Sequence, residues 1–198
     1  YTQKGEYTVT LSVTDNDGGI TTSTMAVTVG NTMEGMLYVD EVWDRAHRIT
    51  GDVIVPPGRT LTILPGTYII VDTAAGENDY FHALIIEGTL TARGETGAIT
   101  FTSPLKQASA WQGIVVTGSM ILDNVMISHA ERGAAVFDTA QVLISHSLFE
   151  ENETGIHVYN AMPRIRTSTF KNNRWYGIKE DSGAAPKFIE CLFTGNRR

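Results

Sequence analysis

The sequence predicts an all-β chain: a right-handed parallel β-helix of about six coils, preceded by a hairpin from a partial β-sandwich. Three observations carry this. One outline restarts about every twenty-two residues between Gly133 and Asn196, as a solenoid requires and a single folded core does not. Apolar and polar side chains alternate strictly in two runs within residues 5–29. No window holds a 3.6-residue apolar period long enough for helical repeats.

Composition sets the bounds. The 198 residues suit one large domain or a small domain with a partial neighbour, and 42% hydrophobic content with 19 glycines suits a turn-rich globular chain. The formal charge is −7 and the basic residues are scattered, which argues against a nucleic-acid surface. Cys191 is the single cysteine, so no internal disulfide forms, and the redox compartment stays open. Apolar runs such as "TYIIV" and "HALII" are too short for a membrane-spanning helix, and no signal peptide is seen. The pattern begins in mid-strand at "YTQKGEY" and stops at the turn "FTGNRR", so the chain is expected to be cut from something longer, with other modules as neighbours. Three parts are expected: 1–31, the end of a β-sandwich; 32–52, a linker and cap; 53–198, the β-helix.

In the first part, Tyr7, Val9, Leu11 and Val13 fall on one face and Thr8, Thr10 and Ser12 on the other. Asp15 to Gly19, "DNDGG", supplies the turn, and Met25, Val27 and Val29 continue the alternation. Two strands alone bury too little to stand in water, so the hairpin must complete a sheet or lean on its neighbour. Asp15 and Asp17 are spaced carboxylates that suggest calcium, but Asp, Asn and Gly favour turns on backbone grounds alone, and no clear cation site emerges. No cofactor is expected.

The segment "GEYTVTLSVTDNDGG…VTV" resembles the last strands of a PKD domain, an immunoglobulin-like sandwich of large cell-surface and secreted proteins. The resemblance covers Tyr1 to about Asn31 and lacks the upstream "W-x-F-G-D-G"-type segment. It implies a spacer or adhesion context, extracellular or at the cell surface, more than an activity.

In the linker, Trp43 of "MEGMLYVDEVWDRAHRIT" is expected to plug the open end of the solenoid, since an uncovered coil edge invites strand pairing. Early coils are read from "TILPGTYII" and "LIIEGTLTA", which align at Gly66 and Gly88, twenty-two residues apart. "VVTGSMIL" continues that column at Gly118, and Asp138 and Asn160 then take the same corner.

The later copies register tightly. Gly133, Gly155 and Gly177 open a strand whose inward residues are Ala134 and Val136, Ile156 and Val158, and Ile178. Leu122, Ile144, Ile165 and Phe188 make a second column; Val125, Ser147, Ser168 and Cys191 a small-residue column; Ile127, Phe149, Phe170 and Phe193 a ring column. Ala130, Asn152, Asn173 and Asn196 end the copies. Stacking each strand on its equivalent about 4.8 Å away makes the rings a continuous spine and the asparagines a ladder satisfying backbone groups at a bend. Gly and Asn also suit the left-handed backbone such a bend needs.

The run "I-x-x-S-x-F-x-x-N-x-x-G-I-x-V" from Ile144 to Val158 resembles the pectin-lyase-like β-helix repeats grouped as carbohydrate-binding and sugar-hydrolysis modules. "VIVPPGRTLTILPGTYIIV" is similar to the first coil of bacterial and archaeal surface β-helices. Together they cover about Val53 to Arg198 and imply the fold far more than a function, because the repeat residues face inward.

Function must then sit on outward residues. Parity places His157 and Tyr159 outside, beside Phe137 on one rung and Lys179 and Asp181 on the other, with Asp138 and Asn160 at the rim. Aromatic faces stack on sugars and flanking polar groups take hydroxyls, so Phe137, Asp138, His157, Tyr159, Asn160, Lys179 and Asp181 form a candidate glycan face. The competing reading is that Phe137 and Tyr159 stack on one another as cross-strand partners. Trp175 and Tyr176 either extend the face or cover a corner.

Catalysis finds little support. Sugar hydrolysis needs paired carboxylates about 5–9.5 Å apart, and Asp138 and Asp181 lie two coils, about 10 Å, apart. Lys179 with Asp181 is a stub of a lyase site without its carboxylate cluster. Arg164 and Arg166 of "PRIRTS" face out on another strand, a solvated pair more readily than an acidic-sugar clamp. His129, His146 and His157 share no column, which argues against a metal. The sequon at Asn152 is expected to be silent, its side chain being used in the ladder. The leading expectation is a non-catalytic rod that presents a face to polysaccharide, surface glycan or a partner protein. The rival is a polysaccharide lyase or glycoside hydrolase with residues beyond this segment; a bare stalk is the third.

Overall fold

The computed structural model describes residues 5–29, 32–73, 81–181 and 183–198, which fall in two compact units dividing after Thr32. In the first, β1 (Gly5–Thr14) and β2 (Ile20–Val29) form an antiparallel hairpin in register from Gly5↔Val29 to Thr14↔Ile20. Asp15 builds its turn: Oδ1 accepts the amides of Asp17 at 3.0 Å and Gly19 at 2.7 Å. The carboxylate is thus spent on the backbone, as an Asx turn requires. Leu11 and Val13 of the expected apolar face are exposed. The side chains of Tyr7, Val9, Met25, Val27 and Val29 lie outside the described residues.

The second unit opens with β3 (Thr32–Met36), β4 (Glu41–Trp43), β5 (Ala46–Val55), β6 (Thr60–Ile63), β7 (Tyr68–Val71) and β8 (Ala83–Ile86). There follow β9 (Thr89–Arg93), β10 (Ile99–Thr102), β11 (Trp111–Val116), β12 (Ser119–Asp123), β13 (Val125–Ser128) and β14 (Ala130–Phe137). The last are β15 (Gln141–Ser145), β16 (Leu148–Glu150), β17 (Thr154–Tyr159), β18 (Arg164–Arg166), β19 (Thr169–Lys171), β20 (Tyr176–Glu180), β21 (Lys187–Ile189) and β22 (Leu192–Thr194).

Each strand pairs with its equivalent one coil on, in parallel, so the chain winds around three faces. The first face stacks β4, β6, β9, β12, β15, β18 and β21. The second stacks the start of β5 with β7, β10, β13, β16, β19 and β22; the third stacks the end of β5 with β8, β11, β14, β17 and β20. A parallel β-helix is therefore what the sequence builds, with strand pairing reaching back to Glu41. Within the stretch expected to link and cap, β3 pairs with β5 and Trp43 is buried against His47, ring centroids 4.8 Å apart.

Registers of the later coils follow the sequence columns. Leu122↔Ile144↔Ile165↔Phe188 and Ile127↔Phe149↔Phe170↔Phe193 are successive partners. Phe149, Phe170 and Phe193 stack at 5.2 and 5.0 Å, and the first two are fully buried. Each enclosed ring contributes roughly 1.5–3 kcal/mol of apolar burial. The glycine column explains how the rings fit: a Cβ on Gly155 would lie 2.3 Å from the Gly177 carbonyl and 2.9 Å from the Phe170 ring.

The asparagine ladder forms. Asn173 Oδ1 accepts the Asn152 amide at 3.1 Å, and its Nδ2 donates to the Phe149 carbonyl at 3.0 Å and Asn196 Oδ1 at 2.9 Å. Asn152 repeats this below, taking the Ala130 amide at 2.9 Å, and is wholly buried, so its sequon has no accessible acceptor.

Two expectations are corrected. The ladder asparagines are not the left-handed residues; the residue before each one is, at His129, Glu151, Asn172 and Gly195. Two further left-handed columns mark the other corners: Asn124, His146, Thr167 and Glu190, and Asp138, Asn160 and Gly183. Gly66 and Gly88 do not stack. Thr89 registers with Thr60, so Gly88 lies over the Pro56–Arg59 turn, while the Gly66 amide bonds the Gly97 carbonyl. Two of the early windings are longer: Val53 pairs with Leu84 and Leu84 with Ile114, about thirty residues each, whereas Ala46 and Tyr68, like Ala134, Ile156 and Ile178, are twenty-two apart.

Candidate functional site

On the third face β14, β17 and β20 bring the predicted strip together. Phe137 registers with Tyr159, and His157 with Lys179. Phe137 and Tyr159 are stacked 4.3 Å apart with planes 1° from parallel. His157 lies against the same tyrosine ring at 3.8 Å and 27°. Two nearly parallel rings so close cannot share one face, so both faces of Tyr159 are occupied and none is left for a sugar. The cross-strand stack is the arrangement present.

The polar groups of the strip interlock. The Tyr159 hydroxyl and His157 Nδ1 are hydrogen-bonded at 2.7 Å. Nε2 lies 3.1 Å from an Asp181 oxygen, yet off the line of a hydrogen bond, so the contact becomes an ion pair only when the ring is protonated. Lys179 Nζ stands 3.9 Å from the same carboxylate. Burial pushes the His157 pKa down, against the pull of Asp181, with Lys179 and Arg132 adding to the depression. Burial likewise raises the Tyr159 pKa. His157 is therefore an outward residue that its neighbours have covered; parity alone does not show this. Asp138 and Asn160 are exposed at the left-handed corner, the Asn160 amide 3.4 Å from Asp138. Trp175 and Tyr176 lie apart from this cluster, engaged by Arg174, Arg197 and Arg198.

A second arrangement lies on the first face. Arg164 and Arg166 flank inward Ile165 on β18, and Lys187 registers directly over Arg164 from β21. With Leu143, Ile165 and Ile189 they line a groove of about 420 Å³. Among the described residues none of the three cations has an ion pair. The sequence contained the signal, since Phe188 shares a column with Ile165 and Lys187 must therefore sit above Arg164.

Two rungs below Arg166, Asp123 Oδ1 accepts from Ser145 Oγ and from His146 Nδ1, both at 2.7 Å. These bonds, the one from His146 first, hold the Asp123 pKa below its usual range. The His146 amide bonds the Arg166 carbonyl, so the dyad and the groove share a corner. His129 has other partners, Thr102 Oγ1 at 2.8 Å and Glu151 at 3.1 Å, so the three histidines remain separate.

A family model described as a right handed beta helix region matches residues 88–198, more than half of the chain. No curated protein and no solved structure matches the chain significantly.

Proposed function

The chain belongs to the right-handed β-helix family, and on that premise we propose that it works outside the cell as a rigid glycan-binding module of a longer, multi-domain protein. The hairpin is the closing part of a PKD-like sandwich, and the solenoid is a pectin-lyase-like rod that holds an acidic sugar in the groove of Arg164, Arg166 and Lys187. One observation carries the reading: three cations that have no carboxylate partner among the described residues crowd onto two rungs above an apolar floor. Like charges so placed repel, and an anionic ligand relieves that repulsion while its C–H face covers Leu143 and Ile189. Arg also matches a carboxylate with two parallel hydrogen bonds. Calorimetry with galacturonate and neutral galactose oligosaccharides tests this. Acidic sugar should bind and neutral sugar should not, and Arg164→Ala with Arg166→Ala should weaken binding about tenfold or more. Equal binding of both sugars, or an indifferent double variant, sinks the reading.

The Asp123–His146 dyad favours a second reading, polysaccharide lyase. With Nδ1–H donated to Asp123, Nε2 is an exposed proton acceptor beside a groove that would hold the substrate carboxylate. It would take the proton α to that carboxylate and return it to the departing glycosidic oxygen as the ring double bond forms. Appearance of unsaturated sugar ends, abolished in His146→Gln, decides for it.

A further inference from the structure

The groove's surroundings limit what it can take. Among the described residues its three cations lie on the rungs of β18 and β21, which together span only about 5 Å along the axis. Following the row of Lys187 and Arg164 downward, the next outward residues are Leu143, Ile121, Thr91 and Thr62, all uncharged and half-buried. In the row of Arg166 the next are Ser145, then Asp123, whose carboxylate is held ionised by His146 and Ser145, and only on the rung below that Arg93, which stands beside this carboxylate. A uniformly charged polymer laid along the axis would find cations for about one sugar length. Its next charges would pass over leucine and isoleucine, with a carboxylate alongside. The volume of about 420 Å³ sits near the lower end of small-ligand pockets.

We infer that the groove selects a single acidic sugar unit within an otherwise neutral glycan, rather than a run of charges. This rests on the glycan-binding reading of the same groove. The anion, a carboxylate or a sulfate ester, sits among Arg164, Arg166 and Lys187. The neutral sugars that follow lay their C–H faces on Leu143 and Ile121, with the threonines of the lower rungs in reach of their hydroxyls.

The test is a length and charge series on the whole chain, read by calorimetry and NMR. It uses galacturonic acid, its dimer to hexamer, a neutral galacto-oligosaccharide ending in one galacturonate, and the same oligosaccharide ending in one galactose sulfate. Affinity should rise from monomer to hexauronate by no more than the number of units offered. The neutral chain with one acidic end should bind at least as well as the hexauronate. Ile121→Ser should weaken the singly charged oligosaccharide about fivefold and leave galacturonic acid unchanged, because Ile121 lies two rungs below Arg164 and outside the groove that holds the anion; it faces outward, so the fold survives. The sulfate arm binding better than the galacturonate arm, or the reverse, identifies the anion, and either supports the inference. Affinity per unit that climbs tenfold or more through the hexauronate overturns it and leaves glycan binding standing. If no acidic sugar binds at any length, the glycan reading itself has failed.

Discussion

At the corner column of Asn124, His146, Thr167 and Glu190 the backbone is left-handed, and only Thr167 is β-branched there, at φ 47°. Its Cβ substituents crowd the following carbonyl in that region, at about 1–2 kcal/mol. Thr167 is exposed, so Thr167→Gly removes strain without opening the core. It should raise stability by about 1 kcal/mol, seen as a higher urea midpoint at unchanged slope. His157 supplies a pH effect of definite sign. Its folded pKa is depressed, chiefly by burial, so below the unfolded value of roughly 6.5 the unfolded chain binds the proton more readily. Stability is therefore unaffected above that pH and falls as pH drops from there toward the folded pKa. His157→Gln should flatten the melting-temperature profile between about pH 7 and 5; an unchanged profile would place the titration elsewhere. The outward parity of His157 and Tyr159 was legible in the sequence. Their covering was not, because it depends on a tyrosine leaning over its own strand and on Asp181 reaching back from the next rung.

Among the elements, the ring column shows what a rung contributes. Phe170 lies between Phe149 and Phe193 with no exposed surface, whereas Phe193 is 46% exposed. Phe170→Ala should cost about 3–5 kcal/mol and Phe193→Ala markedly less, measured side by side in urea. Equal losses would mean that the stack does not act as a spine. Gly155→Ala should be as damaging as the Phe170 change, since the new methyl meets the carbonyl of Gly177 on the next rung as well as the ring. The coils from Leu122 onward were readable because their spacing hardly varies and each column repeats a residue type. The earlier windings were not. A glycine spacing of twenty-two residues fits a tight repeat, yet two of those windings run to about thirty, and nothing local separates a corner glycine from one that lies beneath a turn. Lys187 over Arg164 follows from the same column logic, although the arginines by themselves look like an isolated pair on one strand.

For the solenoid as a whole, charge is segregated along the chain. Residues 160–198 carry eight Lys and Arg against three Asp and Glu, a net of +5, while 33–159 carry six against sixteen, a net of −10. The overall charge of −7 therefore conceals a basic region that includes the groove. Non-specific attraction follows net charge at long range, but at physiological salt the screening length is about 8 Å, close to two rungs. An anionic surface approaching the last coils thus meets mainly their own cations, and the acidic windings further down are screened from it. At neutral pH and about 0.15 M salt the protein should be retained on an anionic heparin resin despite a sequence pI near 5.2. Lowering the salt tenfold, which lengthens the screening distance to about 25 Å, should bring the −10 region into range and weaken retention, the reverse of an ordinary basic protein. Replacing Arg164, Arg166 and Lys187 together by Ala should abolish retention at both salts, whereas replacing the more distant Arg45 and Arg59 should change nothing. Elution that simply falls with rising salt, or that follows the arginines of the early coils, would show that the whole-molecule charge and not the local cluster decides what this β-helix attracts.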